Sequence, residues 1–180
     1  MDVCPISGYF LYFTYTIMTI LDAKNIVVGV TGGIAAYKSC DLVRQLSKAG
    51  ASVQVVMTRN AQEFVTPLTL QTLSGRKVAV SSYDPEWESE IGHISIADDA
   101  DIIIVAPATA NFIGKLASGL ADGLLYTIIL ATKAPVVLCP SMNVNMYENP
   151  IVQDNLEKLK KYGFILMEPV EGNLACGWEG

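Results

Sequence analysis

Four short apolar runs recur along the chain with amphipathic stretches between them: NIVVGV at 25–30, SVQVVMT at 52–58, DIIIVAP at 101–107 and APVVLCP at 134–140. Each is continuous rather than alternating, rich in β-branched residues and bounded by turn formers, so each reads as a strand buried on both faces. Weaker runs at KVAV (77–80) and FILME (164–168) would extend the same sheet. Between the strands the period lengthens. Residues 34–49 set Ile34, Tyr37, Leu42, Val43 and Leu46 against Lys38, Asp41, Arg44, Gln45 and Lys48, with Gly50 as a stop, which is the pattern of a crossover helix. Further helices are expected at 67–74 behind Pro67 and before Gly75, at 112–131 as one interrupted or two short segments, and at 150–162 between Pro150 and Gly163. This alternation predicts a doubly wound parallel sheet, α/β in class, as one three-layer α/β/α domain over 25–180.

In open sheets of this kind ligands sit beyond the carboxyl ends of the strands. The segments that fall there are TGGIAAYK, TRNAQEF, PATANF and PSMNVNMYENP, three of them dense in Gly, Asn, Thr, Ser and Pro. Such residues offer turns and short polar groups rather than core packing. The first turn runs Gly29, Gly32, Gly33 and so lacks the G-x-G-x-x-G order of dinucleotide folds, and Thr58-Arg59-Asn60 stands where a ribose-binding carboxylate would be expected. Both absences count against NAD and point to a mononucleotide such as FMN. Its phosphate would take backbone N–H groups and a hydroxyl such as that of Thr58. After the third strand, Ala108, Thr109, Ala110 and Asn111 combine small residues that let a flat ring approach with two groups able to hydrogen-bond its polar edge. The competing structural readings are close helix–strand packing for Gly32 and Gly33, core filling for Met142 and Met146, and a helix N-cap for Asn143.

Composition narrows the function classes. A net charge of −6 provides no basic stripe to neutralise a nucleic-acid backbone. Cys4, Cys40, Cys139 and Cys176 lack paired spacing and only one histidine, His93, accompanies them, so no metal site is expected. Reduced thiols in a cytoplasmic protein are the natural expectation. The lead ISGYFLYFTYTIMTIL is apolar over 16 positions, shorter than the ~20 residues that span a bilayer, and has no basic flank. Residues 1–24 are therefore read as an N-terminal extension, with Met18 as a possible true start and no membrane partner expected.

Taken in order, VTGGIAAYK, HISIADDADIIIVAPATAN, PSMNVNMYENP and LACG resemble the flavin-dependent cysteine decarboxylases, over residues 25–180. The resemblance implies a flavodoxin-like fold, bound FMN near a subunit interface, and trimers or multiples of trimers. It places Gly32, Gly33, Ile34 and Thr58 at the FMN phosphate, Ala108, Thr109, Ala110 and Asn111 along the flavin, and Ser141 at its border. It also implies catalytic roles for His93, Asn143 and Cys176, and a substrate pocket shaped by Asn143, Met146, Ala175 and Cys176. The implied substrate is 4'-phosphopantothenoylcysteine.

The chemistry is consistent with those residue types. A cysteine carboxylate loses CO2 readily only once the thiol carbon is oxidised to a thiocarbonyl, which accepts the electrons left behind. Returning the enethiol to a saturated thiol then needs the hydride back from the reduced flavin and a proton, and a thiol with the ordinary pKa of about 8.5 is protonated near neutrality. Cys176, in the glycine-rich EGNLACGWEG, suits that role on a mobile lid. An inert tail cysteine is the plain alternative, as a surface histidine is for His93. The Cys176 clamp favours the redox-neutral reaction over peptide-modifying relatives that stop at the enethiol. A prenyl-transferring flavoprotein and a non-catalytic regulatory subunit of the same fold are two further readings of the same pattern. The chain stops at Gly180, and no CTP-dependent ligase activity is expected of it.

Overall fold

The computed structural model describes residues 21–81 and 92–168. The continuous apolar runs form strands β1 (Asn25–Val30), β2 (Ser52–Met57), β3 (Ile102–Ala108) and β4 (Val136–Pro140), and the late run contributes a two-residue β5 (Ile165–Leu166). All neighbours pair in parallel, in the order β2-β1-β3-β4-β5. The KVAV run joins beyond β2 at one rung only: Ala79 donates to the Val55 carbonyl (3.0 Å) and accepts from Met57 N–H (2.9 Å).

Two helices cover one face. They are α1 (Ala36–Lys48) and α2 (Pro67–Ser74), and they enclose Ile26, Val28 and Val30 of β1 with Val53, Val55 and Met57 of β2. The opposite face takes Val27, Val56, Ile103, Val105 and Leu138 against α3 (Gly92–Asp99), α4 (Ala110–Ala117), α5 (Leu124–Ala131) and α7 (Pro150–Lys161). Odd and even strand positions thus go to different helical layers, because successive side chains point to opposite sides of a sheet. A short α6 (Val144–Tyr147) follows β4.

Helix ends follow their local chemistry. Pro67 opens α2 behind Thr66, whose hydroxyl accepts from Thr69 N–H (3.3 Å), and Gly75 at φ +70° closes it. Asn149 caps α7 in the same way, accepting from Ile151 N–H (3.0 Å) ahead of Pro150. The 112–131 region resolves into two helices, because Gly119 (φ +70°) ends α4 and Gly123 (φ +118°) precedes α5. Both glycines adopt backbone angles that a side chain would strain. The HISIADD segment, which carries no clear strand or helix period, forms α3, tied to the end of α5 by the Thr132 hydroxyl donating to the Ala97 carbonyl (2.8 Å).

Among the described residues no helix is long and apolar enough to cross a membrane, and no cluster of His, Cys, Asp or Glu could hold a metal. Cys40 and Cys139 are free thiols, and burial pushes both above the usual thiol range. Ile128, fully buried on α5, locks that helix to the sheet. Ile128→Ala should lower unfolding free energy by about 2–5 kcal/mol in urea titration. Leu68→Ala, on the outward face of α2 where the side chain is 70% exposed, should change it by about 0.5 kcal/mol or less.

Candidate functional site

Strand order reverses direction between β1 and β3, the point where open sheets leave a crevice. A cavity of about 740 Å³ opens there at the carboxyl ends of the strands. It lies within the ~300–1,000 Å³ range of small-molecule sites. Its walls are Thr31 and Gly32 after β1, Thr58, Arg59 and Asn60 after β2, and Thr109, Ala110, Asn111 and Phe112 at the start of α4. Lys115, the Asp122–Tyr126 stretch, Ser141, Met142 and Met146 complete them.

Two buried hydroxyls hold this end of the sheet. The β3–β4 register shifts between Val105 and Ala108, and the Ala106–Pro107 bond is cis. Ser39 Oγ on α1 donates to the Ala106 carbonyl (2.6 Å), and Thr31 Oγ1 donates to the Pro107 carbonyl (2.7 Å). Thr31 Oγ1 also accepts from Thr109 N–H (3.2 Å), while Thr109 Oγ1 accepts from Phe112 N–H (3.4 Å) and caps α4. Carbonyls at the irregular end of β3 are thereby satisfied in a buried setting where unpaired ones would be costly. The first residues of α4 are set at the cavity wall with their N–H groups facing the same end of the sheet.

Gly32 is the tightest point of the wall. A Cβ built there would lie 2.5 Å from Asn60 Cβ and 2.8 Å from the Asn60 carbonyl carbon and oxygen, so only glycine lets the β1 turn lie against the segment after β2. At Gly33 the nearest atom to such a Cβ is a side-chain methyl, Thr109 Cγ2, at 3.2 Å. Packing and the cavity wall therefore coincide at Gly32, since both Gly32 and Asn60 line the cavity.

Lys115 and Asp122 form an ion pair across the loop between α4 and α5, and both line the cavity. Arg59 lines it from the opposite side with no ion-pair partner among the described residues. Thr58 N–H bonds the Val30 carbonyl (3.0 Å), which fixes the end of β2 beside the β1 turn. Ser141 N–H bonds the Ala108 carbonyl (3.0 Å) and so carries the β4 turn to the β3 turn.

The sequence-derived candidates divide into three groups. Gly32, Thr58, Thr109, Ala110, Asn111, Ser141 and Met146 all face the cavity. Gly33 and Ile34 lie in the turn at its rim, Ala108 is fully buried at the end of β3, Asn143 caps α6 by accepting from Asn145 N–H (2.9 Å), and His93 is half-buried on α3. Those five are not among the wall residues of this single chain. Ala175 and Cys176, like Met18 and the rest of residues 1–20, lie outside the described residues. Sequence reasoning did not single out Thr31, Arg59, Asn60, Lys115, Asp122 or Tyr126 as site residues. For Arg59 and Asn60 the signal was available, because they follow a strand directly; for Lys115 and Asp122 it was not, because only the loop between α4 and α5 brings them together.

The chain belongs to the Flavoprotein family, whose model matches residues 17–180. The cofactor class of the chain is accordingly a flavin. Among curated proteins the chain is similar to the coenzyme A biosynthesis bifunctional protein CoaBC of Vibrio cholerae, 49% identical over 160 residues, and of Bacillus subtilis, 51% over 160. Those matches cover 89% of this chain, which spans only 40% and 39% of the length of these relatives. Among solved structures it is similar to a cysteine-to-serine mutant of PPC decarboxylase complexed with pantothenoylaminoethenethiol, at 32% identity and TM-score 0.76, covering 88% of each chain. It is also similar to the FMN-dependent cysteine decarboxylase TvaF from thioviridamide biosynthesis, at 32% identity and TM-score 0.74, covering 81% of this chain and 90% of that one. These likenesses bear out the flavodoxin-like α/β fold.

The contact at Gly32 yields a graded prediction. Gly32→Ala drives a methyl into Asn60 backbone and should weaken flavin retention about tenfold, the equivalent of ~1.4 kcal/mol of overpacking. Gly33→Ala meets only a side-chain methyl and should weaken it less. Flavin content of the purified variants, read from visible absorbance, checks the order.

Proposed function

We propose that this chain is an FMN-dependent decarboxylase that converts 4'-phosphopantothenoylcysteine to 4'-phosphopantetheine in coenzyme A synthesis. The observation that carries the reading is the likeness, over 88% of both chains, to a PPC decarboxylase bound to pantothenoylaminoethenethiol. The cavity supports it independently, since a glycine cradle, small residues and uncharged donors are what a flavin mononucleotide requires. Gly32, Gly33, Ile34 and Thr58 would hold the phosphate end. Thr109, Ala110 and Asn111 would lie along the ring, with Ala108 behind them and Ser141 at the border. When bound, FMN supplies reversible two-electron oxidation at the thiol-bearing carbon of the substrate, the step that makes loss of CO2 easy.

The remaining steps fall to the side chains. Asn143 uses its Oδ1 as a cap, which leaves the amide NH2 as a donor for the substrate carboxylate. Met146, 48% exposed at the mouth, supplies apolar wall to the substrate. His93 accepts the thiol proton or orients the substrate, and the chain assembles as a trimer or a multiple of trimers. Ala175 and Cys176 would contact the substrate, and the Cys176 thiol returns a proton to carbon after CO2 has left. The protein acts in the cytoplasm, where thiols stay reduced.

Anaerobic addition of 4'-phosphopantothenoylcysteine to the yellow protein should bleach the flavin transiently while 4'-phosphopantetheine accumulates. Protein that cannot be loaded with FMN would remove the reading, and turnover of a peptide with a C-terminal cysteine in place of the small substrate would move it to peptide modification. Cys176→Ser should still release CO2 yet leave an enethiol and bleached flavin. Normal pantetheine product from that variant, by mass spectrometry, would remove Cys176 from protonation.

A further inference from the structure

Tyr126 is a large side chain buried where no described residue satisfies its hydroxyl. It sits in the first turn of α5 with only 5% of its surface exposed, its ring stacked on Phe112 at 4.7 Å between centroids and 20° between planes. The ring also lies against the Gly123 backbone, where a Cβ would stand 3.9 Å from Tyr126 Cδ2. Phe112 thus covers the ring on one face and Gly123 lies at its edge, and the residue lines the cavity. Its hydroxyl has no hydrogen-bond partner among the described residues, and it is not a sealed atom like Ser47 Oγ, the one fully enclosed side-chain oxygen left without a partner among them. Buried phenols ordinarily find an acceptor. Here the space beside the residue is the cavity that it lines.

We infer that Tyr126 is a ligand-contacting residue, donating a hydrogen bond to an amide-type carbonyl oxygen of the molecule that fills the cavity. This rests on the function proposed above, and both components of that reading carry such an oxygen: the pyrimidine ring of the flavin and the amides of the pantothenoyl chain. A neutral carbonyl fits the corner better than a phosphate or carboxylate, because Asp122 lies close by and its charge is already matched by Lys115. Burial, with a smaller contribution from that carboxylate, pushes the phenol up to about 12, so it stays a proton donor throughout the working range. Stacking on Phe112 holds the ring in one position, which reduces the entropy lost on contact.

Tyr126→Phe keeps the ring and its stacking and removes only the donor, so Tm should not move. The dissociation constant for FMN, from fluorescence quenching of the stripped protein, and KM for 4'-phosphopantothenoylcysteine are compared with the parent protein. A rise of about tenfold in the FMN constant places the carbonyl on the flavin. A similar rise in KM with unchanged FMN affinity places it on the substrate. Unchanged values of both overturn the inference and leave the proposed function standing. A parent protein that takes up no FMN overturns that function, and this inference with it.

Discussion

The site depends on the satisfaction of two carbonyls that the sheet cannot use. Where β3 leaves its register with β4, the Ala106 and Pro107 carbonyls fall out of the ladder in a buried place. Hydroxyls from Ser39 and Thr31 take them up at 2.6 and 2.7 Å. Each such bond adds only about 1 kcal/mol net, whereas an orphaned buried carbonyl would cost about 1–3 kcal/mol. The asymmetry makes the arrangement hard to exchange for another. Its consequence is spatial: β1 and α1 are tied to the end of β3, and α4 begins beside the turn that holds Gly32.

From that tie the cavity follows. Thr31 bridges Pro107 and Thr109, Thr109 caps α4, and Ser141 reaches the Ala108 carbonyl, so three strand ends form one rim rather than three independent loops. Small residues at Gly32 and Ala110 keep backbone near the surface of the cavity, and Thr, Ser and Asn supply donors without net charge. Of the charged wall residues, Lys115 is cancelled by Asp122, while Arg59 has no ion-pair partner among the described residues. A wall of that kind suits a flat, polar-edged ring and a substrate bearing amides, and the likeness to flavoproteins agrees with it.

Much of the fold was legible in the chain. Unbroken β-branched runs such as NIVVGV require burial on both faces, hence helices on both sides of a parallel sheet, and the structure supplies α1 and α2 on one side and four helices on the opposite side. Pro67 with Gly75, and Pro150 with Gly163, punctuate helices through backbone angles alone, so their ends came out within a residue or two. Segment 92–99 was not legible as a helix. Its apolar and polar positions show no clear period, and only packing on α5 gives Ile96 and Ala97 a buried side.

The candidate site was legible for the same local reason in part. Gly32, Thr58, Thr109, Asn111 and Ser141 each follow a strand directly, and in an open parallel sheet that position alone directs a residue to the ligand end. Sequence by itself therefore determined the strand ends, the capping signals and the residue types that meet there. Only the tertiary structure decided that Gly32 must yield to Asn60, that Thr31 rather than a helix satisfies Pro107, that Lys115 and Asp122 cancel, and that Tyr126 stacks on Phe112 at the cavity wall. Those facts depend on distances between residues far apart in the chain, and such distances are set when the layers close on one another.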